Sequence, residues 1–225
     1  MSFINSSLGV TVTGVIANNK VYDGTTTAVL VTSGAGLAGV LPVDTGNVSL
    51  VTSGATGIFA DKNAGTGKIV TVSGLTLSGS AAGNYALTQP SASASISAVG
   101  LTVTGITAAS KVYDGTAAAT LITSGGVLVG VVSGDVVALN NGTAVGTFAD
   151  RNVGTSKAVT VVGLALNGAS SANYTLTPPA ATASITRPFI AARPRAPWLP
   201  KSLDGSRDHC SIAALQPAGN TSFVS

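Results

Sequence analysis

The chain repeats itself about 90 residues apart, and this constrains its fold more than any other feature. Lys20-Val21-Tyr22-Asp23-Gly24-Thr25 returns as Lys111-Val112-Tyr113-Asp114-Gly115-Thr116. Phe59-Ala60-Asp61-Lys62-Asn63 returns as Phe148-Ala149-Asp150-Arg151-Asn152. Asn84-Tyr85 and Leu87 return as Asn173-Tyr174 and Leu176, and Ala92–Ile96 returns as Ala181–Ile185. The first pair is offset by 91 positions and the others by 89, so only small insertions separate the copies. A duplication of this length points to modules in series rather than to one enzyme built round one cleft. The boundaries read as a lead over 1–9, repeats over 10–98 and 99–187, and a tail over 188–225.

Within each copy the residue types select strands. Only 8% of residues are charged and none is Glu, whereas Val and Thr are plentiful and Gly numbers 28. This is the composition of many short strands joined by tight turns. Val10-Thr11-Val12-Thr13 and Leu101-Thr102-Val103-Thr104 alternate as half-buried strands do. Further strands are expected at 28–32, 47–51, 57–60, 68–77, 84–88 and 92–98. In the second copy they fall at 119–122, 135–139, 146–149, 157–166, 173–177 and 181–186. Gly74 reads as a bulge within the long strand 68–77. About seven strands per copy, with turn signals between them, suggest an all-β chain of two tandem immunoglobulin-like Greek-key β-sandwich modules. A β-helix competes, but its coils repeat every few tens of residues or fewer, and no such short period is visible. The junction Ser97-Ala98-Val99-Gly100 is short enough for a stiff tandem.

The net charge of +3 belongs to the tail. Residues 1–186 hold six Lys and Arg against six Asp, whereas Arg187, Arg193, Arg195, Lys201 and Arg207 face only Asp204 and Asp208. The repeats therefore lack the electrostatic footprint of a nucleic-acid binder. Pro188, Pro194, Pro197, Pro200 and Pro217 mark 188–225 as irregular. The single Cys, Cys210, excludes a disulfide framework. No basic n-region with an apolar core opens the chain, and no apolar run reaches membrane-spanning length. If the protein is exported, the expectation is a piece of a longer chain or a missing signal.

Chemistry has little to work with in the repeats, which contain no His, Cys or Glu. A Ser-His-Asp arrangement cannot be made within one, and His209-Cys210 has no evident third group. No enzyme activity, cofactor or catalytic residue is expected. Tyr22-Asp23-Gly24 and Tyr113-Asp114-Gly115 read as structural: Tyr supplies apolar area, Asp accepts local N–H bonds, and Gly takes the unusual dihedral. Asn84-Tyr85 and Asn173-Tyr174 open the penultimate strand, where a tyrosine corner ties its hydroxyl to backbone upstream. Phe59, Asp61 and Asn63, with Phe148, Asp150 and Asn152, end a short strand. Calcium at Asp61 or Asp150 would be short of carboxylates, since each copy owns three Asp. A Lys-to-Asn cross-link, Lys20 to Asn84 and Lys111 to Asn173, would need Asp61 or Asp150 buried beside it. No metal site is expected.

Taken in order, these five motifs resemble the YDG-type repeat of large bacterial surface proteins similar to filamentous-haemagglutinin adhesins. The resemblance covers about 10–187. It implies exported stalk or adhesive repeats with no catalytic residues to carry over, at the bacterial cell surface, partnered by neighbouring repeats of a longer adhesin and by a host-cell or neighbouring-cell glycan or protein. The expected function is thus a structural stalk or adhesion repeat that spaces or presents a binding region. The alternative is a carbohydrate- or protein-binding module with its own affinity.

Overall fold

The computed structural model describes residues 6–189; the expected irregular tail lies outside them beyond that point. Each copy builds twelve short strands. In the first these are β1 (Leu8–Thr13), β2 (Ile16–Ala17), β3 (Lys20–Val21), β4 (Thr27–Ala28), β5 (Leu30–Val31), β6 (Gly36–Ala38), β7 (Ser49–Val51), β8 (Thr56–Phe59), β9 (Gly65–Ser73), β10 (Thr76–Ser78), β11 (Tyr85–Thr88) and β12 (Ser91–Ser97). In the second they are β13 (Val99–Thr104), β14 (Thr107–Ala108), β15 (Lys111–Val112), β16 (Ala118–Ala119), β17 (Leu121–Ile122), β18 (Val127–Val129), β19 (Ala138–Asn140), β20 (Val145–Phe148), β21 (Gly154–Val162), β22 (Ala165–Asn167), β23 (Tyr174–Thr177) and β24 (Ala181–Thr186).

The two copies have one topology. A five-stranded sheet runs β3-β12-β9-β8-β4 in the first and β15-β24-β21-β20-β16 in the second. A three-stranded sheet runs β11-β1-β6 and β23-β13-β18. Two-stranded ladders join β7 to β10 and β2 to β5, with β19–β22 and β14–β17 as their counterparts. The sheets are mixed: β1 lies parallel to β11, and β3 parallel to β12, while the other pairs in this copy are antiparallel.

The expected single strand over 68–77 is two strands in different sheets. β9 stays in the five-stranded sheet and β10 pairs with β7. Gly74 makes the corner at φ +80°, and a Cβ there would stand 2.0 Å from the Gly54 carbonyl oxygen. The register does shift along the β9–β12 pair, but at Ala94/Ile96. The expected strand 28–32 likewise divides, with β4 pairing β8 and β5 pairing β2. Strand alternation survives in β9, where Val70 and Val72 point inward while Ile69 is exposed.

One buried cluster belongs to both copies. Ala17, Tyr22, Ala28, Phe59, Val70, Ala94 and Ile96 of the first pack with Leu101 and Tyr174 of the second. Partly buried Val131, Val132 and Val137 close over it. Only Ala98 separates β12 from β13, so the second copy begins against the end of the first.

Candidate functional site

The Lys-Val-Tyr-Asp-Gly-Thr motif is a lysine-pinned loop. Lys20 leaves the short edge strand β3 and donates from Nζ to Asp23 Oδ1 at 2.7 Å, to the Thr25 carbonyl at 2.8 Å and Oγ1 at 3.0 Å, and to the Thr27 carbonyl at 3.1 Å. Asp23 Oδ1 also accepts the Thr25 backbone N–H and hydroxyl, both at 2.9 Å. Gly24 takes φ +79° to close the turn. The ammonium lies 5.7 Å from the centroid of Phe59, which floors the loop. Lys111, Asp114, Thr116 and Phe148 repeat this arrangement with three of the four lysine bonds, to Asp114 Oδ1 and to the Thr116 carbonyl and Oγ1. The lysine hydrogen bonds hold Asp23 and Asp114 down to about 2.

Asp61 and Asp150 serve a second turn. Each accepts the backbone N–H two residues on, from Asn63 at 2.8 Å and Asn152 at 2.7 Å. Each also takes a lysine, Lys68 at 2.7 Å and Lys157 at 2.5 Å. Those lysine bonds, aided by the N–H donors, lower both carboxyls. The considered pairing of Lys20 with Asn84, and of Lys111 with Asn173, does not form, because each ammonium is held inside its own loop. No group of three or more His, Cys, Asp or Glu is gathered among the described residues.

The chemically distinct place is the joint between the copies, and Asp135 is its centre. Its side chain is 1% exposed. Oδ2 accepts the hydroxyl of Tyr174 at 2.6 Å and that of Tyr22 at 2.7 Å, and Oδ1 accepts Lys62 Nζ at 3.1 Å. One carboxylate of the second copy thus gathers a tyrosine from each copy and a lysine from the first. The two phenol rings meet edge to face, 5.6 Å between centroids. Tyr174 also accepts the Val132 backbone N–H at 3.0 Å, which fixes the turn carrying Asp135. Beside it, Asn173 accepts the Ala64 backbone N–H at 2.8 Å and donates to Asn63 Oδ1 at 3.2 Å. Gly24 abuts Val132: a Cβ there would stand 3.0 Å from Val132 Cγ1.

Electrostatics follow from the donors. The Tyr174 and Tyr22 hydroxyl bonds hold Asp135 at about 2 against burial, with Lys62 helping. Burial, and the anion at its hydroxyl, raise Tyr22 and Tyr174, and the same anion raises Lys62. The arrangement is a charged, fully donated latch with no proton to give near neutrality. It can join surfaces; it has no nucleophile or base poised for a reaction.

The motif residues therefore divide. Tyr22, Asn63, Asn173 and Tyr174 come together at the joint, Asp23, Gly24, Phe59 and Asp61 build the first-repeat loops beside it, and Asp114, Gly115, Phe148 and Asp150 build the equivalent loops of the second repeat away from it. At the far side of the first copy, Tyr85 donates to Asp44 at 2.8 Å and accepts the Leu41 N–H at 3.1 Å, while Asn84 is exposed. Tyr113 in the second copy is 39% exposed, against 3% for Tyr22. Sequence reading missed Asp135 and Lys62 as partners. The available signal was that Asp44 and Asp135 stand 91 apart, the last matched pair before the offset falls to 89.

Two stretches of the chain, residues 7–94 and 97–183, match a family described as the YDG domain. No curated protein matches the chain.

Proposed function

The chain belongs to the YDG domain family, and we propose that its two repeats are a structural stalk or adhesion segment of a secreted bacterial surface adhesin, spacing or presenting a binding region. The observation that carries this reading is the joint. A link of one residue, a shared apolar cluster and a buried Asp135 with three donors hold the repeats at one angle. A spacer needs that fixed relation; two independent binding modules do not. The finer fold reading, an immunoglobulin-like Greek-key β-sandwich in each repeat, belongs to the same proposal. It is supported by the division of each repeat between a three-stranded and a five-stranded sheet.

The second reading, a glycan- or protein-binding module, draws on a shallow recess beside Leu77, Ala82, Tyr85, Leu87 and Gln89. Gln89 spends its amide on the Leu75 backbone, accepting at 3.2 Å and donating at 2.7 Å, so the recess offers few free polar groups for a sugar. Small-angle scattering together with a glycan array tests the choice. The spacer reading expects one fixed inter-repeat distance and no saturable glycan binding. Saturable binding lost on changing Leu77 or Gln89, or a broad distribution of inter-repeat distances, overturns it.

A further inference from the structure

Each repeat carries both halves of the joint, and among the described residues only one of each is used. The donor half is Tyr22, Lys62, Asn63 and Ala64 in the first repeat. Its counterpart in the second is Tyr113, Arg151, Asn152 and Val153. The acceptor half is Val132, Asp135, Asn173 and Tyr174 in the second repeat, with Leu41, Asp44, Asn84 and Tyr85 as the counterpart in the first.

We propose that a second copy of this chain docks head to tail, its Asp44 face receiving the Tyr113–Arg151 face of the first. The proposal rests on the stalk reading and extends the joint already described. Three observations support it. The acceptor half is preformed: Tyr85 already bonds Asp44 and the Leu41 N–H as Tyr174 bonds Asp135 and the Val132 N–H. An equivalent closing bond presents each carboxylate, from the Asp44 N–H to the Leu41 carbonyl and from the Asp135 N–H to the Val132 carbonyl, although Pro42–Asp44 is a 3-10 turn and Gly134 takes φ +87°. The two-residue insertion, Thr45-Gly46, follows Asp44 directly. The counterparts of Tyr22, which is buried, and of Val132 and Ala64, which are half-buried, are open here: Tyr113 at 39% exposed, Leu41 at 47% and Val153 at 42%. Charge is matched as well, Arg151 standing where Lys62 meets the carboxylate.

In the docked pair the Tyr113 hydroxyl and the Arg151 guanidinium donate to Asp44, the Val153 N–H donates to Asn84, and Leu41 covers Gly115. Such a contact is heterologous, so it propagates open-ended chains rather than closing a dimer. No covalent linker raises the local concentration, so it is weaker than the internal joint and appears only in concentrated protein.

Carbodiimide coupling tests this on the full chain carrying Arg151→Lys, mixed from isotope-labelled and unlabelled protein at about 2 mM, where a millimolar contact is about half populated. The internal Lys68–Asp61 pair, 2.7 Å apart with its carboxylate exposed, is the positive control. The expected result is a mixed-isotope peptide joining Lys at 151 to Asp44, with a ladder of oligomers. Sedimentation velocity of the unaltered chain is the companion measurement: sedimentation rises with concentration and ceases to do so in Tyr113→Ser. Formation of the internal link without the 151–44 peptide overturns the proposal. So does a link from 151 to Asp204 or Asp208, which would put the chain's own C-terminal segment on that face. Either failure leaves the internal joint, and hence the stalk reading, to be judged separately by scattering.

Discussion

Asp44 and Asp135 occupy equivalent positions and accept equivalent tyrosines, yet they do different work. Asp135 takes two phenols and an ammonium while 1% exposed, whereas Asp44 takes one phenol at an open face. Asp135→Asn keeps the shape but removes the charge that three donors serve. We expect a loss of about 2–4 kcal/mol in chemical denaturation, in the range for hydrogen bonds to a buried charge and for a broken buried pair. Asp44→Asn should cost clearly less. Acid should reproduce the first effect. Asp135 is depressed from 3.8 to about 2, so its contribution is whole above 3.8 and fades as pH falls toward 2. Asp23 and Asp114 titrate in the same window. The part owed to the joint is therefore the difference between the acid unfolding curves of the natural chain and of Asp135→Asn. A coincident slope in that window would remove Asp135 from the account. Lys20 makes a third case: Lys20→Met removes one donor from each of four acceptors, leaving Asp23 its two bonds from Thr25, and should cost about 1–2 kcal/mol in thermal or urea unfolding, with the YDG loop the first segment to gain hydrogen exchange.

Elements show where sequence speaks and where it falls silent. β1, β12 and β13 are legible because six or seven alternating residues expose the period of two. β2 to β5 are two residues each, too short for any period, and their existence depends on partners up to 76 residues away. Gly74 illustrates a half-right reading: glycine marks an irregularity, but only tertiary contact tells a bulge from a corner between sheets. That distinction is measurable. A methyl at position 74 meets backbone at 2.0 Å and sits at φ +80°, whereas Gly67, at φ +58°, has nothing within 4 Å. Gly74→Ala should cost more than about 3 kcal/mol or prevent folding, and Gly67→Ala only about 1 kcal/mol. Equal costs in urea unfolding would show that conformation alone, and not the close approach, makes glycine necessary at the corner. The joint was illegible for a related reason. Tyr22 and Asp135 are 113 residues apart, and comparing copies reveals what each shares, not which face of one meets which face of the other.

At the scale of the whole chain, the shared cluster makes the repeats a coupled pair. Unfolding the second repeat alone would bare Tyr22 and the apolar residues beneath Val131 and Val132. Tyr22 by itself represents roughly 3–5 kcal/mol, from the part of its ring that the second repeat covers, judged by Tyr113 at 39% exposed against 3% for Tyr22, at ~25 cal/mol per Å², together with its bond to a charged partner. In a nearest-neighbour description this interfacial term favours joint unfolding whenever it exceeds the difference in intrinsic stability between repeats. We therefore expect β9 and β21, the long central strands of the two five-stranded sheets, to exchange their amides at the same free energy in the natural chain. Inserting four Gly and Ser residues at Ala98 in an Asp135→Asn background should split that common value, because the linker and the latch are then both gone while each repeat keeps its own sheets. Exchange read by mass spectrometry on peptides from 65–73 and 154–162 distinguishes the outcomes. A split only in the altered chain makes the joint the source of cooperativity and gives a stalk its stiffness. Separate values already in the natural chain would mean that the repeats unfold independently and that the latch orients them without binding their stabilities together.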